Sequence, residues 1–180
     1  FGYDGYEKAW LFEATATEME EQIYDEINDC HTWLPSWFAE PQKSLDHPSD
    51  HWYGSFIFPQ YIFEHFGGYI TLRRIWQESV SDDSYYGDFS HQAISLALSN
   101  EGSSFSDALN KMVIANRVMS SSANAGVFSY EEADIYPVNG PATFQTITYS
   151  AGTDQSVTST NLTRFGSQYT RVNSSDPILV

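Results

Sequence analysis

The 180-residue chain is of a length that suits one globular domain around one hydrophobic core, and its 41% apolar and 16% aromatic residues exclude a disordered polypeptide. Twenty-four acids against eight Lys and Arg leave a net charge of −16, which excludes attraction to a phosphate backbone or an anionic membrane surface. No apolar run reaches the roughly 20 residues that a membrane-spanning helix needs.

The first predicted element is a helix over residues 9–28, free of Gly and Pro and crowded with acids. Its apolar residues Trp10, Leu11, Ala14, Met19, Ile23 and Ile27 do not keep to one stripe, so more than one side is expected to be covered. Residues 30–50 carry Pro35, Pro41 and Pro48 among Trp33, Trp37 and Phe38, which predicts an irregular connection pinned by aromatic anchors. A second helix is expected over 51–66, interrupted or begun at Pro59 and stopped by Gly67 and Gly68 in a left-handed cap. A third helix follows over 69–79, then an acidic loop over 81–87 and a fourth helix over 89–98 with Ala93, Ile94, Ala97 and Leu98 facing inward.

The 3-4 spacing of Phe105, Ala108, Leu109, Met112, Val113 and Asn116 predicts a fifth helix entered through a Ser104 or Ser106 cap. Ser129 and Glu132 form a possible capping box for a short sixth turn before Pro137. After Gly140, residues 143–150 and 156–172 are rich in Thr, Val, Tyr and Phe, which is strand composition. The expected fold is therefore mainly α: a helical domain of five or six helices over residues 1–137 and a small C-terminal β segment over 138–180. Two or three strands cannot bury both faces or protect their edges, so they call for partners in a larger or intermolecular sheet.

The acidity reflects scarce Lys and Arg, since only 18% of residues are charged. A surface rich in Ser, Thr, Tyr and Asn is the composition expected of an extracellular or cell-surface protein. The single cysteine, Cys30, can form no internal disulfide and reads as a half-buried free thiol. The chain opens at Phe1 with neither an initiator Met nor a leader, from which a natural start farther upstream is expected.

On the first helix, Glu13, Thr17, Glu20 and Tyr24 fall on one stripe, so two carboxylates share a face that could hold a metal, or simply meet solvent. The run from Trp10 to Glu21, of the form W-L-x-E-[AG]-x-A followed by Thr17, Glu18, Met19 and Glu20, resembles the segment that supplies the third zinc ligand in gluzincin-type metallopeptidases. Tyr53-Gly54-Ser55-Phe56-Ile57-Phe58 through Phe66-Gly67, and Ile70 to Ile75-Trp76, extend that resemblance over about residues 1 to 80, chiefly to secreted bacterial and archaeal members. The resemblance implies a zinc cofactor with Glu13 as third ligand, Glu20 as a supporting acid, Tyr53 as a hydroxyl beside the oxyanion, and a peptide or protein as substrate.

One departure limits what it implies. The five histidines, His31, His47, His51, His65 and His91, include no His-Glu-x-x-His, and Pro48 between His47 and His51 rules out a zinc helix there. The chain alone is thus expected to be catalytically incomplete, with the missing motif upstream of Phe1. The competing expectation is an extracellular structural subunit, a filament or surface assembly on a peptidase-like scaffold, joined to copies of itself by strand addition. Asn161 and Asn173 begin glycosylation sequons, meaningful for a secreted glycoprotein. Asp82, Asp83 and Asp88 match no calcium loop, and Ser90, His91 and Asp88 lie too close in sequence to read as a hydrolase triad.

Overall fold

A computed structural model describes Tyr3, Gly5 and residues 7–80, 90–150 and 154–174. The expected loop over 81–87, with Asp82, Asp83 and Asp88, lies outside the described residues. Those described form seven α-helices, two 3-10 helices and one two-stranded sheet, a mainly α fold.

Helix α1 (Ala9–Ile23) starts where expected but ends five residues early, at Tyr24, whose N–H still reaches Glu20 O. Glu20, Glu21, Asp25, Glu26 and Asp29 explain the stop. Acids at the negative end of a helix and like charges four apart both oppose another turn. The chain then enters a 3-10 helix (Asp29–Trp33) and α2 (Leu34–Ala39), with Pro35 in the first turn, where its missing N–H costs nothing. The expected irregular connection is therefore partly helical, and Trp37 and Phe38 are indeed its buried anchors.

The expected second helix divides into α3 (His51–Gly54) and α4 (Ile57–His65), with the break at Ser55 and Phe56 rather than at Pro59. Ser55 turns its hydroxyl to His51 O and Leu45 O at 2.9 and 2.8 Å, fixing the change of direction. Gly54 is required here because a Cβ would sit 2.6 Å from that of Trp37. Gly67, at φ 85°, ends α4 in the left-handed conformation and opens α5 (Gly68–Ser79).

Helices α6 (Ser90–Ser99) and α7 (Phe105–Val118) follow, the latter capped by Ser104, whose hydroxyl accepts from the Asp107 N–H. The short turn expected before Pro137 forms over residues 131–135, with the Ala133 and Ile135 N–H groups donating to Tyr130 O and Glu132 O, but without the capping box. The Ser129 hydroxyl donates to Gly126 O, Glu132 turns inward toward His31, and a 3-10 helix (Ala123–Phe128) lies just before.

The helices pack α1 on α3 and α4, α4 on α5 and α7, and α6 between α5 and α7. Leu34, Phe38, Phe56, Phe58, Tyr61, Ile62, Ile75, Ile94 and Leu98 fill one interior. Each such side chain contributes about 1.5–3 kcal/mol on burial. No described helix is long and apolar enough to cross a membrane.

Strands β1 (Thr143–Tyr149) and β2 (Tyr169–Ser174) pair in parallel, Ile147 opposite Val172. The strand expected over 156–172 forms only from Tyr169. Before it, Thr163 and Ser167 donate backbone N–H bonds to Gln42 O and Pro41 O at 3.1 and 2.7 Å, so the segment is spent on docking to the helical body.

Candidate functional site

Helix α1 carries the expected stripe, but its members meet different surroundings. Glu13 is half-buried and engages no donor or cation among the described residues, Thr17 is buried, and Glu20 and Tyr24 are exposed. Tyr53, on α3, stacks on Trp33 at 4.8 Å between ring centroids and makes no hydrogen bond through its hydroxyl among the described residues. Asn161, at φ 58°, and Asn173, on β2, are both exposed.

The histidines are engaged elsewhere. His51 stacks on Trp37, with His47 edge-on to it, a ring nitrogen of His65 meets Ser129 O at 2.9 Å, and His91 lies against Phe105 and Phe165. Burial, then the charges of His47 and Lys43, lower the His51 pKa to about 4, so its ring stays neutral in the fold.

The adjoining face of α1 holds a polar cluster that the sequence does not announce. Glu18 is 0% exposed and neither carboxylate oxygen meets a donor among the described residues. Burial, with Glu21 nearby, pushes its pKa to about 8, so it is held as the neutral acid at pH 7. One turn on, buried Glu21 accepts a hydrogen bond from the Cys30 thiol at 2.8 Å. Burial and that bond push the Cys30 thiol well above its ordinary range, so it is no nucleophile in this state.

His31, next in the chain, is 6% exposed, edge-on to Tyr136, and has its Nε2 3.2 Å from Glu132 and 4.0 Å from Glu21. Nε2 is out of line for a hydrogen bond to either carboxylate. Burial lowers the His31 pKa, partly offset by Glu21. Glu132 is raised, first by burial and then by its contact with Glu21. A second polar line runs from Gln22 to Gln60 to Glu64, where burial lifts the carboxyl to about 7.

Sequence reasoning missed this cluster because acids on a helix ordinarily read as a solvated face. The adjacent Cys30 and His31 were the only local signal, and Glu132 comes from 101 positions farther along the chain. No model of a known protein family matches the chain, and neither a curated protein nor a solved structure does so.

Proposed function

We propose that the chain forms the helical lobe of a secreted gluzincin-like zinc peptidase, to which it contributes Glu13 as a ligand. The observation that carries the reading is Glu13 itself, a half-buried carboxylate in the second turn of a helix backed by α3 and α4, with its oxygens unclaimed. A carboxylate fixed in this way suits a borderline cation, provided imidazoles face it. The resembling segments also fall on elements that pack as neighbours, α1, α3 with α4, and α5.

The residues present do not complete a zinc centre at Glu13. No group of three possible ligands among the described residues includes it. The reading therefore requires a His-Glu-x-x-His supplied by chain before Phe1. The coding sequence upstream, together with zinc content and peptide hydrolysis by the natural full-length protein and its Glu13→Ala variant, tests it. Loss of zinc and of chelator-sensitive activity in the variant is expected. An upstream sequence without the motif, or zinc and activity untouched by Glu13→Ala, overturns it.

The sheet favours a second reading, an extracellular subunit assembling through its strands. Among the described residues β1 and β2 pair only with each other, β1 largely and β2 half exposed, which leaves two edges open to strand addition. Light scattering decides between assembly and a monomer at every concentration.

A further inference from the structure

The unmet polar groups beside α1 ask for a ligand that satisfies several acceptors at once. Ligand atoms of Glu21, Cys30 and His31 lie within 4.8 Å of one another, all three residues buried, and those of Glu21, Asp25 and Glu132 do the same. Glu21 belongs to both groups, so the two triads share a corner. The measured separations are 2.8 Å from Cys30 Sγ to Glu21, 3.2 Å from His31 Nε2 to Glu132 and 4.0 Å from His31 Nε2 to Glu21. Tetrahedral zinc, with bonds of about 2.0–2.3 Å, places its ligand atoms roughly 3.3–3.6 Å apart, a spacing that Glu21, Cys30 and His31 already approach and that Glu132, beside His31, would join by turning toward Cys30.

A second observation separates this cluster from an ordinary patch of acids. His31 has its side chain more than nine-tenths buried, yet Nε2 makes no hydrogen bond although two carboxylates flank it. A buried imidazole nitrogen facing acceptors it does not engage is poorly served by protein alone and well served by a cation set between them. Glu21 and Glu132 in contact would likewise repel unless a positive charge or a proton is shared.

We propose that Glu21, Cys30, His31 and Glu132 form a closed binding site for a zinc-class divalent cation, separate from Glu13 and structural in role. The donor set decides the class. One thiolate, one imidazole and two carboxylates suit zinc or cobalt(II), whereas calcium and magnesium take oxygen ligands. On binding, the Cys30 S–H bond is exchanged for an S–metal bond and the proton leaves to solvent. Access is provided by a cavity of about 300 Å³ that Glu20, Tyr24, Ile27 and Asn28 line above Glu21 and Cys30. The bound ion would tie the end of α1 to the 3-10 helix (Asp29–Trp33) and to the turn bearing Glu132, three segments whose meeting otherwise depends on unsatisfied groups.

Cobalt(II) titration of the 180-residue chain, followed by absorption, tests the site. One equivalent is expected to bind with a thiolate-to-cobalt charge-transfer band in the near ultraviolet and tetrahedral d–d bands in the visible. Zinc should displace it. Cys30→Ser should abolish the charge-transfer band, and His31→Gln and Glu132→Gln should each weaken binding at least tenfold. Circular dichroism identifies any variant that fails to fold, and Glu132→Gln, at a part-exposed position, keeps the test open if His31→Gln does not fold. Glu13→Gln should leave the band unchanged, which separates this site from the peptidase reading, since the Glu13 centre contains no sulfur. Absence of a thiolate band in the folded chain overturns the proposal. So does binding that survives Cys30→Ser but is lost in Asp25→Asn, because that is a hard cation on oxygen ligands.

Discussion

Two interiors meet along α1, and they are built in opposite ways. Between α4, α6 and α7, Phe58, Tyr61, Leu98, Phe105 and Met112 interlock, and most polar groups that enter are answered: the Tyr61 hydroxyl donates to Val127 O at 2.6 Å and the Tyr130 hydroxyl to Asn116 Oδ1 at 2.6 Å, while Asn116 Nδ2 alone of that pair finds no partner among the described residues. At the C-terminal half of α1, Glu18 and His31 are as deeply buried but unanswered. The first interior stabilises the fold, whereas the second costs stability in the absence of a ligand. Buried polarity is thus no single category, and only the unanswered kind points to a molecule the fold expects.

Deleting an apolar anchor should produce the largest effect. Phe38→Ala leaves a cavity beneath α2 and is expected to cost about 3–5 kcal/mol in denaturant unfolding. A loss below about 1 kcal/mol would mean that the apolar interior is not what holds the helices together.

The polar interior should reveal itself through pH, measured with a chelator present. Glu18 and Glu64 carry folded pKa values of about 8 and 7, above the ordinary 4.5, so their contribution is full at low pH and is lost as pH rises through 4.5 to 8. His51 has the opposite sign: its pKa of about 4 lies below the ordinary 6.5, so stability falls as pH drops from 6.5 toward 4. Between about pH 4.5 and 6.5 the two carboxyls together outweigh His51, so the contribution of these three groups is greatest near about pH 4 to 4.5 and falls above it, and Glu18→Gln should flatten that fall by leaving Glu64 and His51 nearly balanced. An alkaline limb identical in wild type and Glu18→Gln would show that this carboxyl is not the neutral acid described.

A smaller loss, about 1–3 kcal/mol, is expected for Gly54→Ala, because Trp37 must move away from the new methyl group. The smallest expected effect is that of Arg74→Ala. Its 3.2 Å pair with Glu101 is part-exposed, and the change in stability should stay below about 1 kcal/mol.

The apolar interior was largely legible in the sequence and the polar one was not. Phe105, Ala108 and Met112 declare α7 by spacing alone, and Ser104 caps it as its side-chain chemistry predicts. Glycines 67 and 68 mark a helix end because their positive φ is a local backbone requirement that the residue type itself announces. By contrast, the break at Ser55 depends on Leu45, the inward turn of Glu132 on His31, and the shortened second strand on Gln42. Each is decided by a partner far away in the chain, which periodicity does not register. Glu18 and Glu21 are misleading for the same reason, since a carboxylate is read as solvated until the element that covers it is known. Glu13 keeps its predicted place on α1, while Tyr53 is absorbed into a ring stack with Trp33.

The docking of Thr163 and Ser167 on Gln42 and Pro41 also dictates an order of events in folding. These bonds join residues more than 120 positions apart, and they hold the chain that leads into β2 against the helical body. Closing so long a loop is entropically unfavourable before its anchor exists, whereas α4 to α7 are consecutive neighbours and need no such wait. A probe on β2 should therefore report a slower phase than one on α7.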